Sequence, residues 1–268
     1  MTRSVGSLFA LTGRVALVTG AAGPLGRVLA ATLAELGAAV ALVDLDQGGV
    51  DDLAAGLAEA YGVSALGLAA DLSSAPAASA LVEQTVDQLG GLDILVNNAA
   101  LTGTSPVSGY AAPFDDQSED AFDLAVAVNL RAPFSLVRAA RLHLAARGFG
   151  SVVNISSIYG LLGPVPDLYA DTRMVTPAAY AASKGGLVQL TRHLATSLAP
   201  DIRVNAIAPG GLRRDQGAGF IQRYAQRTPL RRMGSEDDIR GALAWLAGDG
   251  SAYVTGQVVA VDGGWSAW

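Results

Sequence analysis

Tyr180 and Lys184 stand four residues apart in the run Thr176-Pro177-Ala178-Ala179-Tyr180-Ala181-Ala182-Ser183-Lys184. On a helix that spacing lays both side chains on one face. A phenol beside an ammonium is a proton donor whose pKa is expected to fall, because the positive charge favours the phenolate. Nearer the start of the chain, glycines cluster in Thr19-Gly20-Ala21-Ala22-Gly23-Pro24-Leu25-Gly26. There they permit a tight turn and let the backbone approach a pyrophosphate at a helix N-terminus. A proton donor beside a dinucleotide site points to hydride transfer.

Carboxylates refine the cofactor reading. Asp44 lies 44 − 26 = 18 residues after Gly26, at the end of an apolar run. That offset suits a carboxylate on the adenosine ribose hydroxyls, and the same charge repels a 2′-phosphate. Asp46 follows, and no Arg or Lys lies between Val40 and Ala70. The expectation is NAD rather than NADP. Asp71 ends a third apolar run, where it either accepts from the adenine amino group or caps a helix before Ser73. Asn97-Asn98-Ala99-Ala100 ends a fourth, with small residues that leave room for adenosine and amides that can tie strand ends together.

The elements that position these residues follow from pattern. Apolar runs at Arg14–Thr19, Ala39–Asp44, Ser64–Ala70, Asp93–Val96, Ser151–Ser156, Ile202–Ile207 and Gln257–Val261 read as buried strands. Helical patterns cover Pro24–Leu36, a stretch ending at Tyr61, Ala75–Leu89, Glu119–Arg147, Pro177–Leu198 and Ser235–Leu246, with Thr176 as the expected N-cap of the fifth. Strands alternating with helices predict a parallel sheet covered on both faces, an α/β doubly wound fold of Rossmann type in three layers. With no linker, repeat or low-complexity tract, residues 1–268 read as a single domain with a tail at 1–11.

Composition excludes several classes. The 268 residues are 51% hydrophobic and 16% charged, so a sizeable core is available. The most apolar early stretch, Val28–Val43, is broken by Glu35 and Gly37, so no membrane span is expected, and Met1–Leu11 lacks a signal-peptide core. Cysteine is absent, which excludes disulfides and thiolate catalysis. His143 and His193 are the only histidines, and no metal site is expected. A net charge of −6 argues against nucleic acid. The expectation is a cytoplasmic protein acting on a small molecule.

Taken in order, these motifs resemble the short-chain dehydrogenase/reductase family in its compact single-domain branch, from Gly13 to Gly264. The resemblance rests on the glycine turn, Asp71-Leu72, Asn97-Asn98-Ala99-Ala100, Asn129, Ser156-Ser157-Ile158-Tyr159-Gly160, Tyr180…Lys184, Pro209-Gly210 and Val261-Asp262-Gly263-Gly264. It implies a catalytic tetrad. Tyr180 is then the acid or base, Lys184 lowers its pKa and binds the nicotinamide ribose, Ser157 rather than Ser156 bonds the substrate oxygen, and Asn129 holds a water. It implies cofactor contacts at Gly20, Gly23, Leu25, Gly26, Asp44, Asp71, Leu72, Asn98, Ala99, Tyr180, Lys184, Pro209, Gly210 and Leu212. It also implies a homodimer or homotetramer through helices such as the one carrying Ala181, Ala182, Gly185 and Gly186.

The departures carry information. Pro24 replaces a glycine of the branch pattern, and the Gly20, Gly23, Gly26 spacing looks like that of longer, epimerase-type relatives, so altered phosphate contacts are expected. Ser157 and Tyr180 are 180 − 157 = 23 apart, wider than is usual in the family. The extra segment, 161–176, reads as an active-site insertion carrying Asp167, Tyr169, Asp171, Thr172 and Arg173, and 211–232 reads as a substrate lid. Hydroxyl-rich and charged residues there suggest a polar, hydroxylated substrate, the bland alternative being a surface excursion or subunit contact. Ser157-Ile158-Tyr159-Gly160, the insertion and the Gly211–Gln216 stretch together resemble family members near bacterial surface-sugar pathways, which implies a sugar, amino-sugar or polyol substrate. Arg213, Arg214 and Arg223 read either as partners of a substrate phosphate or carboxylate or, more simply, as solvated lid residues, and Trp265 and Trp268 are expected to pack on the lid or a neighbouring subunit. The rival functions are a ketoacyl-thioester reductase, which usually favours NADP, and a non-catalytic cofactor sensor or scaffold. Enoyl reductases separate Tyr and Lys more widely.

Overall fold

A computed structural model of the chain describes residues 3–74, 76–172 and 174–268. Seven parallel strands form one sheet: β1 (Val15–Thr19), β2 (Ala39–Asp44), β3 (Ala65–Ala69), β4 (Ile94–Asn97), β5 (Gly150–Ile155), β6 (Ile202–Pro209) and β7 (Val258–Val261). Their order is β3-β2-β1-β4-β5-β6-β7. The chain therefore reverses direction across the sheet between β1 and β4, and the crevice beyond their carboxyl ends is where such sheets take ligands.

Alternate residues of each strand feed opposite cores, which is why the runs are continuously apolar. Ala16, Val18, Val40, Leu42, Ile94 and Val96 pack under α1 (Pro24–Glu35), α2 (Gln47–Tyr61) and α8 (Asp237–Ala247). Leu17, Ala41, Val43, Leu95 and Val152 pack under α3 (Ala77–Leu89), α5 (Ala132–Ala145) and α6 (Ala178–Leu198).

Three expectations change. The single helix at Glu119–Arg147 is instead α4 (Glu119–Val126), a wide π turn at Ala127–Arg131, and α5. The wide turn contains Asn129, and such turns concentrate where a side chain is re-aimed. A further helix, α7 (Ala218–Arg227), lies in a stretch with no apolar strand or long helical run. Finally, α6 is capped differently: its N-cap is Pro177, not Thr176. Pro177 is extended there, the Ala178 N–H is satisfied by Gln117 Oε1 at 2.9 Å, and the Thr176 hydroxyl is occupied by Tyr169.

Candidate active site

The glycine turn follows β1 directly. Gly20 has φ +64°, and a Cβ there would come within 2.8 Å of Ala99 Cα on the neighbouring strand end. A Cβ on Gly26 would land on the Gly20 carbonyl. Gly23 is the helix N-cap and Pro24 the first helical residue, where its missing N–H costs nothing. The Arg27 N–H goes to Gly23 O at 3.0 Å, so the Leu25 and Gly26 N–H groups are the ones in the first turn that bond no carbonyl. This cradle, open to backbone approach and carrying two spare donors, fits a pyrophosphate.

Asp44 closes the turn from β2. Its Oδ2 accepts from Ala22 N at 2.9 Å and its Oδ1 from Leu45 N at 2.8 Å. Acceptor capacity remains on both oxygens for ribose hydroxyls. Reading along the chain missed Arg27, which reaches back from α1 and donates Nε to Ala22 O at 2.8 Å. A cation therefore stands in the same turn as Asp44, although none lies near Asp44 in sequence.

At the switch point, Asn98 Nδ2 donates to the carbonyls of Thr19 and Gly20 at 2.9 and 3.0 Å. Thr19 Oγ1 accepts from the Asn98 and Ala99 N–H groups, each at 3.0 Å. Asn97, Asn154 and Thr191 form a buried chain at 2.8 and 2.9 Å that ties β4 to β5 and α6. The amides thus join strand ends as expected. Asp71 is exposed, and its Oδ1 accepts from Ser73 N at 2.8 Å. That bond forms a local turn rather than a helix cap, since α3 starts only at Ala77.

Tyr180 and Lys184 do share a face of α6, with the ammonium 5.8 Å from the phenol ring centroid. Lys184 is buried and donates Nζ to Ile155 O at 2.7 Å. Burial lowers its pKa to about 8. The expected lowering of the Tyr180 pKa is not present: burial raises it, and hydrogen bonding with Ser157 and the positive charge of Arg214 only oppose the rise. The lysine aims its charge at a backbone carbonyl, so desolvation of the phenol wins.

Ser157 and Ser156 have different partners. Ser156 is buried and donates to Lys184 O at 3.1 Å, whereas Ser157 Oγ accepts from Tyr159 N at 3.1 Å. Asn129 is fully buried, accepts from Leu101 N at 2.8 Å, and donates to Leu101 O at 3.2 Å and Ser183 Oγ at 3.1 Å. Tyr110 was not foreseen. It is buried, donates to the same Leu101 carbonyl at 3.0 Å, and packs in one cluster with Tyr180. It comes from an irregular segment whose sequence carries no periodic signal.

The 161–176 segment is no free excursion. Leu168 is buried with Phe220, Tyr224, Met233 and Trp265, and Tyr169 lies 5.6 Å from Phe220 by ring centroids. Arg223, expected to be solvated, donates instead to Leu168 O at 3.1 and 3.0 Å and to Ala170 O at 2.5 Å. Those carbonyls lie in and just after the turn Pro166–Tyr169, and α7 supplies their donor. Arg173 lies outside the described residues. Arg214 pairs with Glu236 at 3.1 Å. Trp265 stacks on Tyr224 at 4.3 Å, whereas Trp268 is 71% exposed with only its Nε1 bonded, to Arg227 O. Pro209 ends β6, Gly210 N bonds Val261 O at 2.9 Å, and Leu212 bridges to Gly234.

A doubly wound sheet with a glycine cradle at its switch point, and Ser157, Tyr180 and Lys184 beside that crevice, defines a dinucleotide-dependent oxidoreductase. The comparisons agree. A family model described as "Enoyl-(Acyl carrier protein) reductase" matches residues 20–266. A cis-4-hydroxycyclohexanecarboxylate dehydrogenase of Sinomonas cyclohexanicum is 35% identical, over 96% of this chain and 98% of that protein. A probable galactose dehydrogenase of Rhizobium meliloti is 34% identical, over 95% of each. The crystal structure of a gluconate 5-dehydrogenase from Burkholderia cenocepacia, in complex with NADP and tartrate, is 31% identical with TM-score 0.87, covering 99% of this chain and 100% of that one. The chain belongs to the short-chain dehydrogenase/reductase family, and its relatives are oxidoreductases acting on CH–OH groups.

Proposed function

We propose that this protein is an NAD-dependent dehydrogenase of secondary alcohols, acting on a polar, hydroxylated substrate. The observation that carries the chemistry is the buried Lys184 ammonium 5.8 Å from the Tyr180 ring centroid, on one face of α6. The chemistry a dinucleotide supplies when bound in the crevice is hydride transfer. Tyr180 gives a proton to the carbonyl oxygen in reduction and takes it from the alcohol in oxidation. Its raised pKa keeps it protonated at neutral pH, which suits the donor role. Ser157 donates to the same oxygen and fixes its position. Lys184 contributes a positive charge that favours the phenolate once Tyr180 has lost its proton. Asn129 anchors the 101 loop to α6 through Leu101 and Ser183.

Gly20, Gly23, Leu25 and Gly26 would hold the pyrophosphate, Asp44 the adenosine ribose, and Asp71, Leu72, Asn98 and Ala99 the adenine side. Pro209, Gly210 and Leu212 would wall the nicotinamide. Asp44 supports NAD. Arg27 favours a second reading, NADP, because its guanidinium could meet a 2′-phosphate beside the turn. The 161–176 and 211–232 segments would cover the substrate, and their polar side chains support a hydroxylated one. The face of α6 that carries Ala182, Gly185 and Gly186 would meet a second copy of the chain.

The deciding experiment measures reduction of NAD and of NADP with sugars, sugar acids, polyols, steroids and simple alcohols. Turnover of the oxygen-rich compounds with NAD at least tenfold above NADP supports the reading. Preference for NADP transfers the adenosine site to Arg27. Turnover confined to apolar alcohols overturns the polar substrate.

A further inference from the structure

The extra segment before α6 brings three hydroxyls together above the site. The Tyr159 and Tyr169 phenol oxygens are 2.5 Å apart, and Thr176 Oγ1 donates to the Tyr169 oxygen at 2.8 Å. Three hydroxyls carry three hydrogens. Thr176 spends its own on Tyr169, and one phenolic hydrogen lies between the two tyrosines. The remaining phenolic hydrogen has no acceptor among the described residues. If Tyr169 donates to Tyr159, the spare hydrogen is that of Tyr159. In the reverse arrangement it is that of Tyr169.

The surroundings leave that donor accessible. Tyr159 and Tyr169 pack against the buried Ile158, Leu168 and Phe220, and both tyrosines and Thr176 are half-buried, so a ligand oxygen can reach the cluster. Its position points at the reaction centre. The Tyr159 N–H bonds Ser157 Oγ at 3.1 Å, and Thr176 precedes Tyr180 by one helical turn of sequence. The Tyr169 phenol is near enough to Tyr180 to act on its ionisation. The insertion is pinned in this place by Arg223 through the Leu168 and Ala170 carbonyls, so the donor is held rather than loose.

We propose that the Tyr159–Tyr169–Thr176 cluster is a substrate subsite, whose spare O–H binds an acceptor oxygen remote from the carbon being oxidised. The acceptor is a hydroxyl or carboxylate oxygen of the substrate. The subsite rests on the reading that Ser157 and Tyr180 hold the reacting oxygen, and it adds a second fixed point. Two anchors orient the substrate, where one would leave it free to rotate. Alcohols without the remote oxygen leave the donor unpaired and are discriminated against.

The test compares cyclohexanol, 1,4-cyclohexanediol and cis-4-hydroxycyclohexanecarboxylate by kcat/KM in the native protein and in Tyr169→Phe. Binding of NADH and a thermal melt check that the variant is intact, and Tyr159→Phe provides the same readout should Tyr169→Phe not fold. The native protein is expected to prefer the two oxygen-bearing compounds. Whichever of Tyr159→Phe and Tyr169→Phe removes the spare hydrogen is expected to lose about tenfold on them, with cyclohexanol unchanged. A loss confined to the diol identifies a hydroxyl acceptor, and a larger loss on the acid identifies a carboxylate. A native protein that treats all three alike overturns the polar-substrate reading and the subsite with it. A native preference that survives both substitutions overturns the subsite alone. Equal losses on all three compounds reduce the cluster to a structural support.

Discussion

The buried lysine makes a quantitative prediction about stability and pH. Lys184 is 2% exposed, and burial alone brings its pKa from the ordinary 10.5 to about 8. The difference is about 2.5, and each whole pKa step is worth about 1.4 kcal/mol, so holding this side chain charged costs the fold about 3 kcal/mol. The sign follows from proton counting. Below pH 8 the lysine is charged in folded and unfolded chains alike, and the full penalty applies. Between about 8 and 10.5 the unfolded chain binds the proton and the folded chain does not, so stability rises with pH. Many groups titrate in that range, so the useful quantity is the difference between native protein and Lys184→Met. Urea unfolding of both, from pH 7 to pH 10, isolates it. The difference is expected to move in favour of the native protein by about 2–3 kcal/mol, mostly above pH 8. The Ile155 bond survives deprotonation, because a neutral amine still donates. A difference that stays constant across the range would refute the claim that desolvation governs this group.

Four further outcomes are expected. In Gly26→Ala the added carbon meets the Gly20 carbonyl and lies 2.8 Å from Ala21 Cα, both backbone, so the turn must move. The melting temperature should fall by several degrees for about 1–3 kcal/mol of strain, and NADH binding should weaken at least tenfold; unchanged values for both would show that the cradle is slack. Because burial raises the Tyr180 pKa, alcohol oxidation should climb with pH from 7 to 9 while ketone reduction stays flat. Tyr180→Phe should cost roughly a hundredfold or more in turnover and leave NADH affinity intact, and a variant with native turnover removes Tyr180 as the acid. Asp44→Ala should weaken NADH binding about tenfold or more and raise NADPH affinity, as measured by fluorescence titration; an unaltered ratio of the two affinities means that Arg27, not Asp44, sets the choice.

Much of this protein is legible along the chain because its physics is local. A parallel strand buried on both faces must be apolar throughout, so Ala39–Asp44 has the same bounds in sequence and structure. A glycine turn before a helix, and a tyrosine one helical turn ahead of a lysine, are set by backbone geometry within a few residues. The family follows from the order of such motifs. Other features depend on groups far apart in sequence that the fold brings together. The ammonium of Lys184 turns to Ile155 on β5, which leaves burial to set the Tyr180 pKa. Arg27 arrives beside Asp44 only because α1 folds back over its own turn. Gln117, not Thr176, caps α6, since Thr176 is drawn into the hydroxyl cluster. Arg223 looks like a solvated cation in sequence and becomes the clamp on Leu168 and Ala170. In each case the side chain had several possible partners of equal chemistry. The tertiary structure chose among them, because desolvation and hydrogen-bond geometry are fixed only once the sheet and its helices are in place.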